Sequence, residues 1–287
     1  SIVKKSKPNC LLADEIRWFN SCVIANSFKK INKKIYLISH GSHTPPNDIF
    51  SKIAFEFHCR GLLYSQYATS VVLQSPSAKV YFINKRDKPL DEFCHIDSET
   101  EIIESQPVIW GDKTHYMKKD TKKNVILHAG TYKTTGGRPY IHETSNSYVA
   151  SLINLINALD KIPNTKLIIR YRESLECSYK NLLDLLPLSN NYEVKLVNKK
   201  LGSINEDLAK SDLLITYSST TSEEALYNFT PVGLFGLNEN FKFIKGTNIP
   251  PSKNQRNAVY YLNKNNLVSM IKNIIKFHKN NQLTHSE

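Results

Sequence analysis

The stretch that most constrains this chain is Leu213-Leu214-Ile215-Thr216-Tyr217, followed without a break by Ser218-Ser219-Thr220-Thr221-Ser222 and then by Glu223-Glu224-Ala225-Leu226. A short continuous apolar run of this kind reads as a strand buried on both faces, as in a parallel sheet. The acidic and apolar residues that follow open a helix. A strand that feeds almost directly into a helix is the repeating unit of a doubly wound α/β sheet, in which ligands bind at the carboxyl ends of the strands. A helix N-terminus at that place offers free N–H groups to phosphate. The hydroxyls of Ser218, Ser219, Thr220 and Thr221 add further donors, and Glu224, one turn into the helix, can accept from ribose hydroxyls. The competing reading is plain helix capping: Thr220-x-x-Glu223 and Thr221-x-x-Glu224 both fit the capping box. Capping accounts for one hydroxyl and one glutamate and leaves the rest of the run unexplained.

Similar alternation runs along the chain. Residues 11–30 read as a helix, Ile35 to Ser39 as a strand, 49–63 as a helix, and Ser70 to Leu73 and Lys79 to Ile83 as strands. Residues 84–122 are charged and without period, and read as the tail of a first domain plus a linker. A second domain opens at Asn124-Val125-Ile126-Leu127-His128. It continues through helix 146–160, strand 167–172, helix 177–186, strand 193–197, strand 213–217, helix 222–228, strand 232–236 and a closing helix at 265–279. The expected boundaries are 1–122 and 123–287. The expected fold is α/β with two Rossmann-like domains, the first incomplete or reduced, because it shows only two or three strands.

Two further groups of residues fall at strand ends in the second domain. Arg170 and Arg172 close the strand 167–172, and guanidinium forks suit phosphate; the alternative is a surface pairing with Glu173 or Glu176. Their alternation is expected to send them to opposite faces, so that only one points at a ligand. After strand 124–128, Gly130 would let the backbone approach a ligand closely and Thr131 could donate to an oxygen, with Lys133 and Arg138 in the same polar segment. An ordinary βα turn is the alternative.

The stretch from Ser211-Asp212 through Glu224-Ala225-Leu226 to Pro231-Val232-Gly233 resembles the C-terminal domain of GT-B glycosyltransferases that build bacterial surface polysaccharides. It is similar to capsule Kdo transferases, to related sialyltransferases and, through Tyr217-Ser218-Ser219, to CDP-glycerol polymerases. The resemblance covers residues 124–240. It implies that Ser218, Ser219 and Thr220 contact the nucleotide phosphate, that Glu224 holds the ribose, and that the Gly130 loop lies near the donor phosphates in a cleft between two domains. One departure stands out: many of these families carry His-Pro after the strand, where this chain has Arg170-Tyr171-Arg172-Glu173. The loop His40-Gly41-Ser42-His43 resembles the His-Gly element of the polymerases. A glycosyl transfer needs a base for the acceptor hydroxyl, and histidine titrates in the right range. His40 and His43 are therefore the candidate catalytic residues, with Asp48 and Glu56 in reserve; two exposed turn histidines are the alternative reading.

Composition narrows the class. The net charge of +12 fits a lysine-rich surface as well as anionic ligands, and no nucleic-acid-binding pattern accompanies it. Five scattered cysteines without CxxC spacing argue against a disulfide framework or a zinc site and for a reducing compartment. The absence of Asp-x-Asp argues against a metal-dependent GT-A enzyme. No apolar run approaches the roughly 20 residues of a membrane span, and no signal peptide is visible.

The resulting expectation is a metal-independent, cofactor-free GT-B glycosyltransferase located in the cytoplasm. It would move a sugar from a CMP-, CDP- or UDP-linked donor, with a CMP-activated acidic sugar favoured, to a glycan or lipid-linked acceptor. The rivals are a CDP-glycerol-type polyol-phosphate transferase and a non-catalytic nucleotide-sugar or glycan binding module. Peripheral association with the inner face of a membrane, through Tyr260-Tyr261 and the lysines 272, 276 and 279 of the closing helix, competes with a plain packed helix bearing a solvated lysine face.

Overall fold

The computed structural model describes residues 8–39, 59–87, 98–105, 123–130, 132, 143–198, 203–239 and 241–284. His40, His43, Asp48, Glu56, Thr131, Lys133 and Arg138 lie outside the described residues. So does most of the helix expected at 49–63. The chain forms two compact units, residues 1–111 and 112–287.

The first unit contains β1 (Cys10–Ala13), α1 (Phe19–Lys29), β2 (Lys34–Ile38), β3 (Ser70–Leu73), α2 (Pro76–Asp87) and β4 (Glu101–Glu104). The strands pair in parallel in the order β1-β2-β3-β4. Four parallel strands are thus described where the sequence showed only two or three.

Three expectations here need correction. The helix foreseen from residue 11 begins at Phe19, because Cys10 to Ala13 form β1. Leu11 and Ala13 pack against the core while Cys10 and Leu12 face outward, a period of two hidden in a short apolar stretch. Lys79 to Ile83 lie in helix α2, not in a strand. Ala78, Tyr81 and Phe82 are buried at helical spacing while Val80 is 60% exposed, and a five-residue apolar window does not separate the two periods. The aperiodic stretch 84–122 contains edge strand β4, whose two isoleucines are flanked by glutamates.

The second unit is a complete doubly wound domain. It contains β5 (Asn124–Ala129), α3 (Ser145–Leu159), β6 (Thr165–Tyr171), α4 (Tyr179–Leu185) and β7 (Tyr192–Leu196). These are followed by α5 (Ile204–Lys210), β8 (Leu213–Thr216), α6 (Thr221–Tyr227), β9 (Val232–Leu234), β10 (Val259–Tyr261) and α7 (Leu267–Asn280). All pairs are parallel in the order β10-β9-β8-β5-β6-β7. One face of the sheet packs on Leu152, Leu155 and Ile156 of α3 and Ile271 and Ile274 of α7; the other packs on Leu208 of α5 and Ala225 of α6. Each fully buried Leu or Ile contributes roughly 1.5–3 kcal/mol.

Tyr260 lies on β10 with no exposed surface, hydrogen-bonded to His278, and Lys279 of α7 donates to the Lys123 carbonyl and pairs with Asp212 at 3.7 Å. Tyr260 is thus part of the core, whereas Lys272, Lys276 and Lys279 are exposed. Among the described residues no helix is long and apolar enough to cross a membrane.

Candidate functional site

Strands β5 and β8 are neighbours, but β6 lies to one side of the pair and β9 to the other. Chain direction through the sheet therefore reverses between them, and crossover connections leave that point to opposite faces, opening a crevice at the strands' carboxyl ends. The register places His128 beside Ile215. Gly130 and Thr216 consequently end at the same level, and the Ser/Thr run starts there.

A cavity of about 410 Å³ occupies this place. Its walls include Gly130 just after β5, Arg170 near the end of β6 and Arg172 just beyond it, Ser219, Thr220 and Thr221 before and at the start of α6, and Glu224 one turn further on. The far side is closed by Val197 and by Ser203 and Ile204 at the head of α5. Ser203 and Ile204 had no signal in the sequence, because α5 was not foreseen there.

Gly130 has φ +123°, and a Cβ placed on it would sit 3.2 Å from Thr216 Oγ1 and 3.3 Å from Ser219 Cβ. Both the backbone conformation and the close approach require glycine. The ring of Tyr148 secures this turn by donating to the Gly130 carbonyl at 3.2 Å. His128 of β5 lies beside that ring with a centroid separation of 5.8 Å. Burial pushes its pKa down to about 4, so it is neutral at physiological pH, and its Nδ1 is buried without a partner.

The hydroxyl run divides its labour. Ser222 donates to the Ser219 carbonyl at 2.8 Å and is structural. Ser219 Oγ shares a hydrogen bond with Thr221 Oγ1 at 2.9 Å and accepts from the Thr221 N–H at 3.2 Å. Thr220, the residue preceding the helix, has helical backbone angles and no side-chain cap bond. The local cap is thus Ser219, and Thr220 makes no capping box. Its hydroxyl stands on the cavity wall without a partner among the described residues. Ser218 corrects the sequence reading: it is 5% exposed, does not line the cavity, and its Oγ is buried without a partner. Thr216 Oγ1, immediately below Gly130, is likewise buried and unpaired.

Arg170 and Arg172 both face the cavity, contrary to the expected split. Residues two apart share a face of a strand; Tyr171 between them goes to the opposite face, into the core formed with α3. Arg172 is exposed. Arg170 is buried, and its Nη1 donates to Asp207 Oδ2 at 2.5 Å and to the Ser203 carbonyl at 3.4 Å. Lys195 adds a bond to Asp207 Oδ1 at 2.7 Å. Burial raises the Asp207 pKa, but the hydrogen bonds and charges of Lys195 and Arg170 outweigh it and hold the carboxyl below its usual range. Glu224 goes the other way: burial, and then the charge of Glu223, raise its pKa to about 6, opposed by Arg170. Among the described residues no group of three His, Cys, Asp or Glu side chains is placed to hold a metal ion.

No protein-family model matches the chain, and no curated protein matches it. The fold, however, recurs in solved structures. A protein of Listeria monocytogenes described as a UDP-N-acetylglucosamine 2-epimerase shares it at TM-score 0.60 and 14% identity, over 97% of this chain and 68% of that one. The UDP-GlcNAc 2-epimerase of Methanocaldococcus jannaschii, solved with UDP-GlcNAc and UDP, matches at TM-score 0.57 and 13% identity, over 96% and 71%. The pneumococcal O-GlcNAc transferase GtfA, solved with UDP and GlcNAc, matches at 0.52 and 10% over 98% of this chain. This chain spans 52% of that transferase. These likenesses establish the fold class: two Rossmann-like units of the GT-B architecture.

Proposed function

We propose that the chain is a GT-B-type enzyme that holds a nucleotide sugar in the β5/β8 crevice and transfers its glycosyl group to a glycan acceptor. The observation that carries this reading is one cavity that unites a close-approach glycine, a cationic Arg172, an unpaired Thr220 hydroxyl and the Glu224 carboxylate. The phosphates of the donor would lie against Gly130, Ser219 and Thr220, where no Cβ blocks the backbone. Arg172 supplies charge to the departing phosphate, and preorganised donors of this kind are the main electrostatic aid to such a step. Glu224 accepts from the ribose hydroxyls. In the transfer, the bond between the anomeric carbon and the phosphate oxygen breaks and the acceptor oxygen takes its place. The acceptor proton goes to a base, for which His40 and His43 remain the candidates.

The structures solved with UDP or UDP-GlcNAc favour a uridine nucleotide over the cytidine donor expected from sequence, for which these neighbours offer no support. They also motivate a second reading, isomerisation of the nucleotide sugar, because several are described as 2-epimerases. Incubation with UDP-GlcNAc, with and without an acceptor glycan, separates the readings. Acceptor-dependent release of UDP is the expected result. An isomerised nucleotide sugar with no free UDP would establish the epimerase instead, and binding without turnover would establish a binding module. A thermal-shift panel of UDP, CMP, CDP and GDP comes first; no stabilisation by any of them would sink both enzymatic readings.

A further inference from the structure

The first unit carries a cavity of its own, of about 380 Å³, at the amino ends of its strands. Lys34 begins β2, Thr69 precedes β3 and Thr100 precedes β4, and the three meet at one edge of the sheet, where the last residue of α1, Lys29, also arrives. The walls carry Lys29, Lys33 and Lys34, with Tyr67 alongside and Glu99.

Two features mark it as built to receive a ligand. Thr69 and Thr100 both line it, yet they differ. The Thr69 hydroxyl accepts from the Ile35 N–H at 2.8 Å and donates to the Ile35 carbonyl at 3.2 Å. Thr100 is only 6% exposed and its Oγ1 has no partner. Leaving a buried hydroxyl unpaired is costly, so it calls for a bound group. The charges agree. Lys29 donates to a neutral carbonyl, that of Gln66, at 3.0 Å and so keeps its full charge. Lys33 has no partner among the described residues. Lys34 is shared with Glu101 at 3.3 Å. Three ammonium groups against the carboxylates of Glu99 and Glu101 leave the edge positive.

We propose that this cavity is a second ligand site, which takes the phosphate or carboxylate group of an acidic glycan. Lys33 and Lys29 supply the charge, Thr100 donates a hydrogen bond, and Tyr67 flanks the sugar. A recessed chamber of this volume lies within the range of small-ligand sites. A lipid surface would instead want protruding apolar side chains, and the exposed Trp18 and Phe19 stand at the opposite end of α1, roughly 15 Å away by helix rise. The site lies in the other unit from the β5/β8 cavity and does not depend on how that cavity is read.

The test is calorimetric titration of the full chain with glucose 6-phosphate, glucuronate, glucose, inorganic phosphate and phosphatidylglycerol vesicles. The wild type is compared with Lys33→Gln and Thr100→Val. Either acidic sugar should bind while glucose does not, and each substitution should weaken binding about tenfold, the effect of losing one charge-assisted bond. Thr100→Val should at the same time keep or raise the Tm, since it removes an unpaired buried hydroxyl. A merely structural role for Thr100 would lower it. Stabilisation by UDP should be the same in all three proteins. No binding of either acid, wild-type affinity in either variant, inorganic phosphate matching glucose 6-phosphate, or binding to vesicles but not to sugars would each overturn the proposal.

Discussion

Gly130 and Ser219 approach each other across the β5/β8 crevice so closely that a single added methyl group on the glycine would stand 3.3 Å from the serine Cβ. Gly130→Ala should therefore act twice. The backbone at φ +123° is strained for any residue with a Cβ, and the methyl crowds both Ser219 and Thr216. A loss of about 1–3 kcal/mol in stability is expected from denaturant unfolding. Nucleotide affinity should fall as well, because the crowding is where the phosphates are proposed to lie. Unchanged affinity in the folded variant would place the phosphates elsewhere.

Ser218 and Ser219 are adjacent serines with opposite roles, and their alanine variants should diverge. Ser219 Oγ is the local cap, accepting from the Thr221 N–H. Ser219→Ala should cost about 1 kcal/mol, the usual value of an N-terminal cap, and should weaken nucleotide binding. Ser218 Oγ is buried and unpaired. Ser218→Ala removes an unsatisfied group, so stability should hold or rise by up to about 1 kcal/mol. Paired thermal and chemical denaturation of the two variants reads the difference directly. Equal destabilisation of both would show that Ser218 has a partner in solution.

This division was out of reach of the sequence. The strand 213–217, the hydroxyl run and the helix after it were legible because a buried strand and an amphipathic helix write their periods directly into the residues. So were β5, β6, β7 and the closing helix. The run of Ser and Thr, by contrast, is chemically uniform, and only the chain's path decides which hydroxyl meets solvent and which is enclosed. Short elements were hidden for a related reason. β1, β4 and β10 are three or four residues long and none is buried along its whole length, unlike the equally short β3, β8 and β9, and α5 has only Leu208 firmly in the core with Ile204 partly packed. Arg170 and Arg172 line the same cavity rather than splitting between two faces, because residues two apart on an extended chain share a face. Arg170's partner Asp207 is 37 residues further on, a pairing that no local pattern encodes.

That pairing makes its own prediction. Arg170 and Asp207 are both about 7% exposed at their side chains. Asp207→Ala removes the buried carboxylate that Arg170 and Lys195 share, leaving Lys195 with Glu193 at 3.5 Å, and a cost of roughly 3 kcal/mol follows from breaking such a buried pair. Because the folded carboxyl titrates below its usual range, its contribution is present above the ordinary carboxylate pKa and is lost as pH falls through the lower folded value. The stability gap between wild type and Asp207→Ala should therefore be widest near neutrality and shrink in acid. A gap independent of pH would mean that the pair contributes through packing rather than charge.

Glu224 reverses the sign. Its carboxyl titrates at about 6 in the folded chain instead of 4.5, so the folded state favours the protonated form. Below pH 4.5 it costs nothing. As pH rises from 4.5 through 6 the penalty of a buried carboxylate develops, and it persists above. The shift corresponds to about 2 kcal/mol, and partial exposure of the side chain to solvent reduces it to about 1 kcal/mol. Glu224→Gln should therefore be more stable than the wild type by about that amount at pH 8 and equal to it at pH 4, by urea unfolding. Binding should move the opposite way. Wild-type affinity for UDP should rise as pH passes 6 and the carboxylate forms to accept from the ribose hydroxyls. Glu224→Gln should bind weakly, without that rise. Deoxygenated uridine nucleotides, which lack the ribose hydroxyl, should show the same flat profile with the wild type. If they keep the rise through pH 6, the titrating group acts on the phosphates and not on the ribose.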